Sequence, residues 1–212
     1  MGRPGHSYTG RVIRTILRFV GSVLAVSGAL MLTDAGATLL WQEPVSWLFA
    51  EREQDRLEEA FAKPPKRVLD RKPLPGDAIG RLSIPRLDRE YFVVEGTETE
   101  DLRKGPGHYA NTPLPGGRGT VAIAGHRTTY GAPFRTIDQL DPGDGITIEM
   151  PYGTFTYSVE TTRIVEPTQV SVYRKVRYDR LILSACHPLY SAAQRIVVFA
   201  RLQKSVDRST VK

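Results

Sequence analysis

The chain has little of what marks a disulfide-rich protein or a nucleic-acid-binding protein. Its 212 residues contain one cysteine, Cys186, so no disulfide can form within the chain. The formal net charge is +6, but residues 1–42 and 201–212 each contribute +3, whereas residues 43–200 carry 21 basic and 21 acidic side chains. A phosphate-binding face needs lysines and arginines clustered in the folded part. Nucleic-acid binding is therefore not expected.

Other common signatures are also missing from the sequence. It contains no internal repeat, no glycine-rich loop that would cradle a phosphate and no carboxylate cluster that would favour calcium. We therefore expect neither a cofactor nor a metal. What is present, 41% hydrophobic and 25% charged residues, is typical of a globular protein with one core.

One long apolar run stands near the N-terminus. Residues 19–41 include a single charge, Asp34, and are long enough to cross a bilayer core of ~30 Å. Arginines precede the run at positions 11, 14 and 18, and glutamates follow it. By the positive-inside rule, this predicts a single-pass anchor with a cytoplasmic N-terminus and an extracytoplasmic C-terminal part.

A cleavable signal peptide is the alternative interpretation of this run. Residues 19–32 have the length of a signal-peptide apolar region, and residues 35–37 (AGA) are similar to a cleavage site. The anchor is favoured because Asp34 lies in the outer third of the run and apolar residues resume at Leu39. Both interpretations export the rest of the chain. Cys186 is then a free thiol outside the cytoplasm, either chemically active or a small buried apolar side chain.

The remaining chain divides by composition. After a tail at 1–18 and the anchor at 19–41, residues 42–76 contain a charged juxtamembrane helix, interpreted as a spacer, and a proline-rich extended linker. A domain is predicted at 77–204 and a tail at 205–212. Short strands separated by glycine and proline predict a small β-barrel or sandwich; they cover 78–84, 91–95, 119–125, 145–150, 154–165, 180–186 and 195–203. Only the segments TETEDLRKG and PFRTIDQL are predicted to form single helical turns.

Three residues of this domain form a candidate site. His126 ends the run GTVAIAGH, and Cys186 ends the run RLILSAC, so both stand at strand ends. A thiol nucleophile needs a nearby imidazole to take its proton. His187 is adjacent in sequence, but neighbouring residues of a strand point to opposite faces, so it should diverge from Cys186. A hairpin through HPLYSAAQ would bring Arg195 beside the thiol, where it could bind an oxyanion.

Three separated segments carry a recognisable pattern: GPGHYANTPLPGG (105–117), IAGHRTTYGAPF (123–134) and CHPLYSAAQRIVVFARL (186–202). They resemble the sortases, membrane-anchored cysteine transpeptidases of Gram-positive bacteria, and together they are close to the actinobacterial class E pattern. The resemblance covers roughly residues 78–202. It implies a closed eight-stranded sortase-type β-barrel with His126, Cys186 and Arg195 as the catalytic residues.

The resemblance also implies an activity. Cys186 would attack the threonine carbonyl of an LAXTG- or LPXTG-like sorting signal on a surface protein, giving a thioacyl-enzyme that an amine of a peptidoglycan precursor resolves. His126 would serve as acid and base, and Arg195 would steady the substrate. Tyr109 of the GHY segment is expected to influence the choice between the two signals, and Ser184 and Ala185 are expected to contact substrate.

One position departs from the family pattern. Sortases usually have TLXTC at the nucleophile, whereas this chain has ILSAC, with Ala185 in place of a hydroxyl side chain. The departure is expected to affect substrate positioning more than chemistry. Two alternatives stay open: a pilin-polymerising sortase, whose acceptor is a lysine of another subunit, and a non-catalytic exported barrel in which Cys186 is a packed core residue.

Overall fold

The computed structural model describes residues 7–40, 44–174 and 176–207, and the chain separates into two compact units, Met1–Pro44 and Val45–Lys212. The first unit contains helix α1 (Ser7–Leu40). Within α1, Arg11–Ala37 is long and apolar enough to cross a membrane, with a mean hydropathy of 1.8. This agrees with the predicted span at 19–41, although the last predicted residue, Trp41, lies outside the described residues.

Among its described residues, the second unit contains three helices and eight strands. The helices are α2 (Pro44–Ala62), α3 (Lys66–Leu69) and α4 (Thr99–Leu102), and 3-10 turns lie at Pro85–Leu87, Ile137–Gln139 and Val170–Tyr173. The strands are β1 (Ala78–Ile84), β2 (Arg89–Glu95), β3 (Gly107–His108), β4 (Thr120–Ala124), β5 (Gly145–Met150), β6 (Gly153–Val165), β7 (Arg180–His187) and β8 (Gln194–Asp207).

The strands close into a barrel in the order β1-β2-β3-β4-β7-β8-β6-β5. This confirms the eight-stranded barrel and selects it over the sandwich. Seven of the strands lie where alternating apolar residues predicted them, and the two predicted helical turns are present at α4 and at Ile137–Gln139. The prediction missed β3, because its two residues are too short to show a period of two.

Alternation along the strands fills the barrel interior. On β5, for example, Ile146, Ile148 and Met150 are buried, and the residues between them are more exposed. Such side chains stabilise the fold by roughly 1.5–3 kcal/mol each when fully buried. Strand β7 is different because it is buried on both faces: Leu181 and Leu183 face the interior, while Ile182 belongs to a second apolar cluster outside the barrel.

Helix α2 packs on the barrel instead of acting as a free spacer. Ser46, Ala50 and Leu57 are buried on one side of the helix. Gln54 donates from Nε2 to the carbonyls of Phe92 (3.1 Å) and Lys104 (2.8 Å), and its Oε1 accepts from the backbone N–H of Phe92 (2.7 Å). Three hydrogen bonds from one side chain fix the helix against β2, which corrects the spacer interpretation.

The proline-rich segment after α2 is also more ordered than an extended linker. It contains the short helix α3, whose Val68 is buried. Arg67 of α3 donates to the carboxylate of Asp77 from Nε at 2.7 Å, and Asp77 lies directly before β1. The segment is therefore tied to the start of the barrel.

Candidate active site

The strand register pairs Cys186 with Arg195 and brings the strand that precedes His126 next to the strand of Cys186. Strands β4 and β7 are parallel and pair Ala124 with Ser184, so His126 and Cys186 each stand two residues farther along neighbouring strands. Strands β7 and β8 are antiparallel and pair Cys186 directly with Arg195. Adjacent strands lie about 4.8 Å apart. Cys186 and Arg195 are therefore neighbours on β7 and β8, and His126 follows the end of the adjacent β4 by two residues. We call these three residues the catalytic row, after the roles that the family resemblance implies for them.

Alternation also places Cys186 and Arg195 on the same face of the barrel wall. Ile182 lies outside the barrel and Leu183 inside, so Cys186 shares the outer face with Ile182 and Ser184. On β8, Val197 and Phe199 are outside and Ile196 and Val198 inside, which puts Arg195 on the outer face as well. The site is consequently on the outer wall of the barrel, at one end of its strands.

Close packing fixes the backbone at His126. The preceding Gly125 donates its N–H to the carbonyl of Ser184 on β7 (3.0 Å), and a Cβ at position 125 would lie 2.6 Å from the ring of Phe134. Phe134 in turn donates its N–H to the carbonyl of His126 (3.0 Å). Only glycine permits this approach. The end of β4 and the loop after it are thus locked together.

The loop after His126 is anchored by Arg127. This side chain is 3% exposed, donates from Nη2 to the carbonyl of Arg135 (3.0 Å) and pairs with Asp138 at 2.9 Å. It also donates from Nη1 to Nδ1 of His187 at 3.4 Å. His187 therefore points to Arg127 of this loop and diverges from Cys186, as the alternation of side chains along a strand predicted.

His126 is held in its uncharged form by its surroundings. Burial lowers the pKa of His126, and the positive charge of Arg103 lowers this pKa further. Its Nε2 is buried and has no hydrogen-bond partner among the described residues. An imidazole that is neutral near pH 7 and has an unused ring nitrogen can accept a proton from a thiol. The ring is therefore in the state that a general base requires.

Tyr130 packs beside this imidazole and is itself contacted by helix α2. The rings of His126 and Tyr130 have centroids 5.3 Å apart, and the Arg103 guanidinium lies 5.7 Å from the Tyr130 ring centroid. Tyr130 has a left-handed φ of 51°, its N–H donates to the Ser46 hydroxyl (3.2 Å), and its ring contacts Phe49 edge-on at 6.3 Å. Sequence reasoning missed Arg103 and Tyr130, because neither lies next to the histidine in sequence or shows a recognisable spacing.

Cys186 and Arg195 complete the catalytic row. Cys186 is a free thiol with intermediate exposure, so it is neither a fully packed core residue nor fully in solvent. Arg195 donates from Nη1 to the carbonyls of Ala192 (2.9 Å) and Gln194 (3.0 Å). These bonds hold the guanidinium group at the start of β8. Residues 188–193 form the connection between β7 and β8.

Tyr109 and Ser184 lie beside a tyrosine that the sequence did not point out, Tyr173. The hydroxyls of Tyr109 and Tyr173 are 3.3 Å apart and their ring centroids 5.0 Å apart. Tyr173 is also hydrogen-bonded with Ser184, and burial raises the pKa of Tyr173 to about 12 against the opposing effects of Ser184 and the Arg195 charge. The neutral tyrosine hydroxyls thus form a polar cluster next to the catalytic row.

Ala185 does not lie on the same face as Cys186 and Ser184. Its side chain belongs to the interior core cluster and is 4% exposed, on the opposite face of β7 from Cys186. The expectation that Ala185 contacts substrate therefore has no support from its side chain, because alternation turns that side chain inward. A hydroxyl at this position would enter the core, so the departure from the family pattern concerns packing.

His108 of the GHY segment is buried and hydrogen-bonded within the fold. It is 1% exposed, with Nδ1 2.8 Å from the carboxylate of Glu95 and Nε2 3.1 Å from the carbonyl of Pro113. Both ring nitrogens face acceptors inside the fold. In the part of the chain that the structure describes, no group of three or more His, Cys, Asp and Glu side chains is placed to hold a metal ion.

Comparison with known proteins agrees with this arrangement. A family model described as "Sortase domain" matches residues 82–203, more than half of the chain. Sortase D of Bacillus subtilis is 35% identical over 134 residues, which are 61% of this chain and 66% of that protein. Sortase SrtE1 of Streptomyces coelicolor is 29% identical over 213 residues, 92% of this chain and 59% of that protein. The chain thus spans less than two thirds of these relatives' lengths.

Solved structures give the same result. The structure of sortase E from Streptomyces avermitilis superposes with a TM-score of 0.60 at 35% identity, over 66% of this chain and 97% of that one. The expected likeness to class E sortases is therefore confirmed. The family model, the closed barrel and the relatives agree, and the chain belongs to the sortase family of cysteine transpeptidases.

Proposed function

We propose that this protein is a membrane-anchored sortase that cleaves an LAXTG- or LPXTG-like sorting signal and transfers the released acyl group to an amine. The observation that supports the proposal most is the strand register: Cys186, a free thiol, pairs with Arg195, and Ala124, two residues before the neutral imidazole of His126, pairs with Ser184, two residues before Cys186. A non-catalytic barrel would leave this combination of residues unexplained.

The first half-reaction uses the neutral form of His126. The imidazole takes the thiol proton as Cys186 Sγ bonds to the threonine carbonyl carbon, giving a tetrahedral oxyanion. Collapse of this intermediate breaks the C–N bond of the Thr–Gly peptide, and His126 returns its proton to the leaving glycine amine. The product is a thioester on Cys186.

In the second half-reaction an incoming amine attacks the thioester carbonyl and gives a proton to His126. The C–S bond then breaks, and the imidazolium reprotonates the departing thiolate. No net proton or electron is consumed. Burial and Arg103 both oppose a standing imidazolium, which favours an imidazole that holds the proton only between the two steps.

Substrate would be steadied by groups on the same outer face. Arg195 is opposite Cys186 in the register, so its unused guanidinium donors can reach a developing oxyanion or a peptide carbonyl. The hydroxyls of Tyr109, Tyr173 and Ser184 form the adjacent polar cluster. We assign this cluster to the residues of the signal that precede threonine, including the proline or alanine that distinguishes the two signals.

The proposed setting is the cell surface. The apolar stretch Arg11–Ala37 would anchor the chain, with the arginines at 11, 14 and 18 on the cytoplasmic side and the barrel outside. The partners would be surface proteins bearing a C-terminal signal and a cell-wall precursor that supplies the acceptor amine.

The test uses the full chain in detergent micelles with LAXTG and LPXTG peptides. Intact-protein mass spectrometry should show an acyl adduct on Cys186 that disappears when an amine is added. Cys186→Ser should give no adduct, and His126→Ala should lose most of it while the barrel keeps its circular dichroism. A folded wild-type chain that forms no adduct with either peptide would overturn the enzymatic proposal.

The acceptor is tested in the same assay. Addition of a cell-wall stem peptide or of a protein with an accessible lysine, each at equal amine concentration, should resolve the thioester unequally. Faster resolution by the stem peptide supports wall anchoring. Faster resolution by the protein lysine would assign the chain to pilin polymerisation instead.

A further inference from the structure

The exposed side of helix α2 begins with four large apolar side chains. Val45 is 78% exposed, Trp47 43%, Leu48 48% and Phe49 44%. We call these four residues the apolar tip. Single exposed apolar side chains are ordinary on a soluble protein, but four within five consecutive positions are a contiguous patch that marks an interaction surface.

The apolar tip is confined to the first turns of α2. From Glu51 to Glu59 the exposed positions are mostly charged, whereas Ala50 and Leu57 are buried against the barrel. A helix that lies flat in a lipid interface has an apolar stripe along its whole length. Here the apolar part is only about 6 Å long, so it fits insertion of the helix end rather than of a full face.

The position of α2 in the chain, shortly after the candidate membrane-crossing stretch, indicates what the apolar tip contacts. Helix α2 begins at Pro44, seven positions after the end of the candidate membrane-crossing stretch at Ala37. Tryptophan with other large apolar residues is characteristic of the interface between lipid and water. Resting on the membrane anchoring proposed above, we propose that the apolar tip inserts into the outer lipid surface and seats the catalytic barrel on the membrane.

The proposed insertion depends on apolar contacts with lipid and not on electrostatic attraction. Residues 51–59 contain five carboxylates and two arginines, so this part of α2 is acidic and is not attracted by anionic lipid. The insertion should therefore occur in neutral phosphatidylcholine and should not weaken at high salt.

The seating also has a consequence for the site. Phe49 of the apolar tip contacts the ring of Tyr130, and Ser46 accepts from the Tyr130 N–H. Tyr130 in turn packs on His126. The tip thus brings the loop that carries the proposed base close to the lipid surface, where membrane-bound substrates would reach it.

Tryptophan fluorescence tests the proposal. The full-length Trp41→Phe chain, in which Trp47 is the single tryptophan, is reconstituted into neutral vesicles whose lipids carry bromine near the headgroup end of the acyl chain. A matched control carries Trp41→Phe, Trp47→Phe and Glu59→Trp, which moves the reporter about 18 Å along the same helix. Bromine should remove about half or more of the Trp47 fluorescence if the tip lies 5–10 Å deep, and much less of the control's.

Each outcome has a defined meaning. Stronger quenching of Trp47 than of position 59, unchanged by salt and reduced by Leu48→Glu, supports the insertion. Chains that float with the vesicles but show equal, weak quenching at both positions overturn the insertion and leave the anchor intact. Chains that do not float overturn the anchor and the insertion together. Shielding of Trp47 that rises with protein concentration, without bromine quenching, would assign the tip to a second copy and also overturn the proposal.

Discussion

At the scale of single residues, His126, the proposed base, is affected by burial and by one charge from a distant part of the sequence. The His126 ring is buried with the Tyr130 ring beside it, and Arg103 adds a positive charge that the residues near His126 in sequence do not indicate. Both effects disfavour the protonated ring. The pKa of the imidazole is therefore set by Arg103, directly after α4, and by burial beside Tyr130, not by the residues adjacent to His126 in sequence.

Removal of the Arg103 charge should shift the pH dependence of the reaction. In Arg103→Gln the pKa of His126 rises, because a nearby positive charge no longer opposes protonation. The neutral base is then lost at a higher pH, so the acidic limb of the kcat/KM profile moves upward in pH. Arg103→Lys keeps the charge and should leave the limb nearly in place. Identical profiles for the Gln variant and the wild type would contradict this account.

Gly125 should tolerate no side chain. A Cβ there would lie 2.6 Å from the Phe134 ring, whereas a Cβ at Gly145 on β5 would meet nothing within 4 Å. We expect Gly125→Ala to cost about 1–3 kcal/mol in the free energy of unfolding and to lower kcat as His126 is displaced. Denaturant unfolding and peptide kinetics measure both effects. Gly145→Ala, the matched control, should change neither by much.

At the scale of elements, one buried arginine holds the segment that carries Tyr173. Arg180 at the start of β7 donates from Nη2 to the carbonyls of Val172 (2.6 Å) and Arg174 (2.9 Å), and from Nε to the Thr120 hydroxyl (2.9 Å). Thr120 also donates to the Arg174 carbonyl at 2.9 Å. The connection between β6 and β7 is therefore pinned close to the polar cluster of Tyr109, Tyr173 and Ser184.

Loss of the Arg180 hydrogen bonds should affect substrate binding more than chemistry. Arg180→Leu frees Tyr173 from its position, so we expect KM for the peptide to rise about tenfold, ~1.4 kcal/mol, with a smaller change in kcat. Arg177→Leu, at an exposed position of the same connection, is the control and should resemble wild type. A fall in kcat as large as the rise in KM would show that Arg180 acts on the catalytic row or on the whole fold.

Helix α2 shows why a charged segment is hard to interpret from sequence. Its charges predict a solvated helix, and most of them are exposed as expected. The contacts that dock it depend on Ser46, Ala50, Gln54 and Leu57, one residue per turn, and three of the four have ordinary small or polar side chains. Because these contacts occupy such a narrow strip of the helix surface, the sequence shows no clear helical periodicity of apolar residues, and only the tertiary structure reveals that α2 docks.

At the scale of the whole molecule, the catalytic unit should include α2. A fragment of residues 45–207 is expected to be more stable and more active than a fragment of residues 77–207, because removal of α2 leaves Tyr130 without Ser46 and Phe49 and exposes apolar surface on β2. Thermal melting followed by circular dichroism and kcat/KM for one peptide measure the difference. The single change Gln54→Ala in the longer fragment should reproduce part of the stability loss, about 1–3 kcal/mol, whereas Glu59→Ala should not.

Equal stability and equal kcat/KM for the two fragments would contradict this prediction and would show that α2 acts only as a spacer. The membrane insertion proposed for the apolar tip would then no longer bring the His126 loop to the lipid surface.

The sequence by itself determined seven of the strands and the long apolar helix, and its resemblance to the sortases indicated the closed barrel. Alternating apolar residues set the strands, since a period of two has only one arrangement that buries its apolar face. Strand ends and motifs predict His126, Cys186 and Arg195 as the catalytic residues, and their roles stay a prediction. The tertiary structure decided everything that depends on distant contacts: β3, the docking of α2, the charge of Arg103 beside His126, the place of Tyr173 and the inward turn of Ala185. Local patterns fix the direction of a side chain along its own strand, whereas its neighbours come from other strands and helices, and these are set only when the barrel closes.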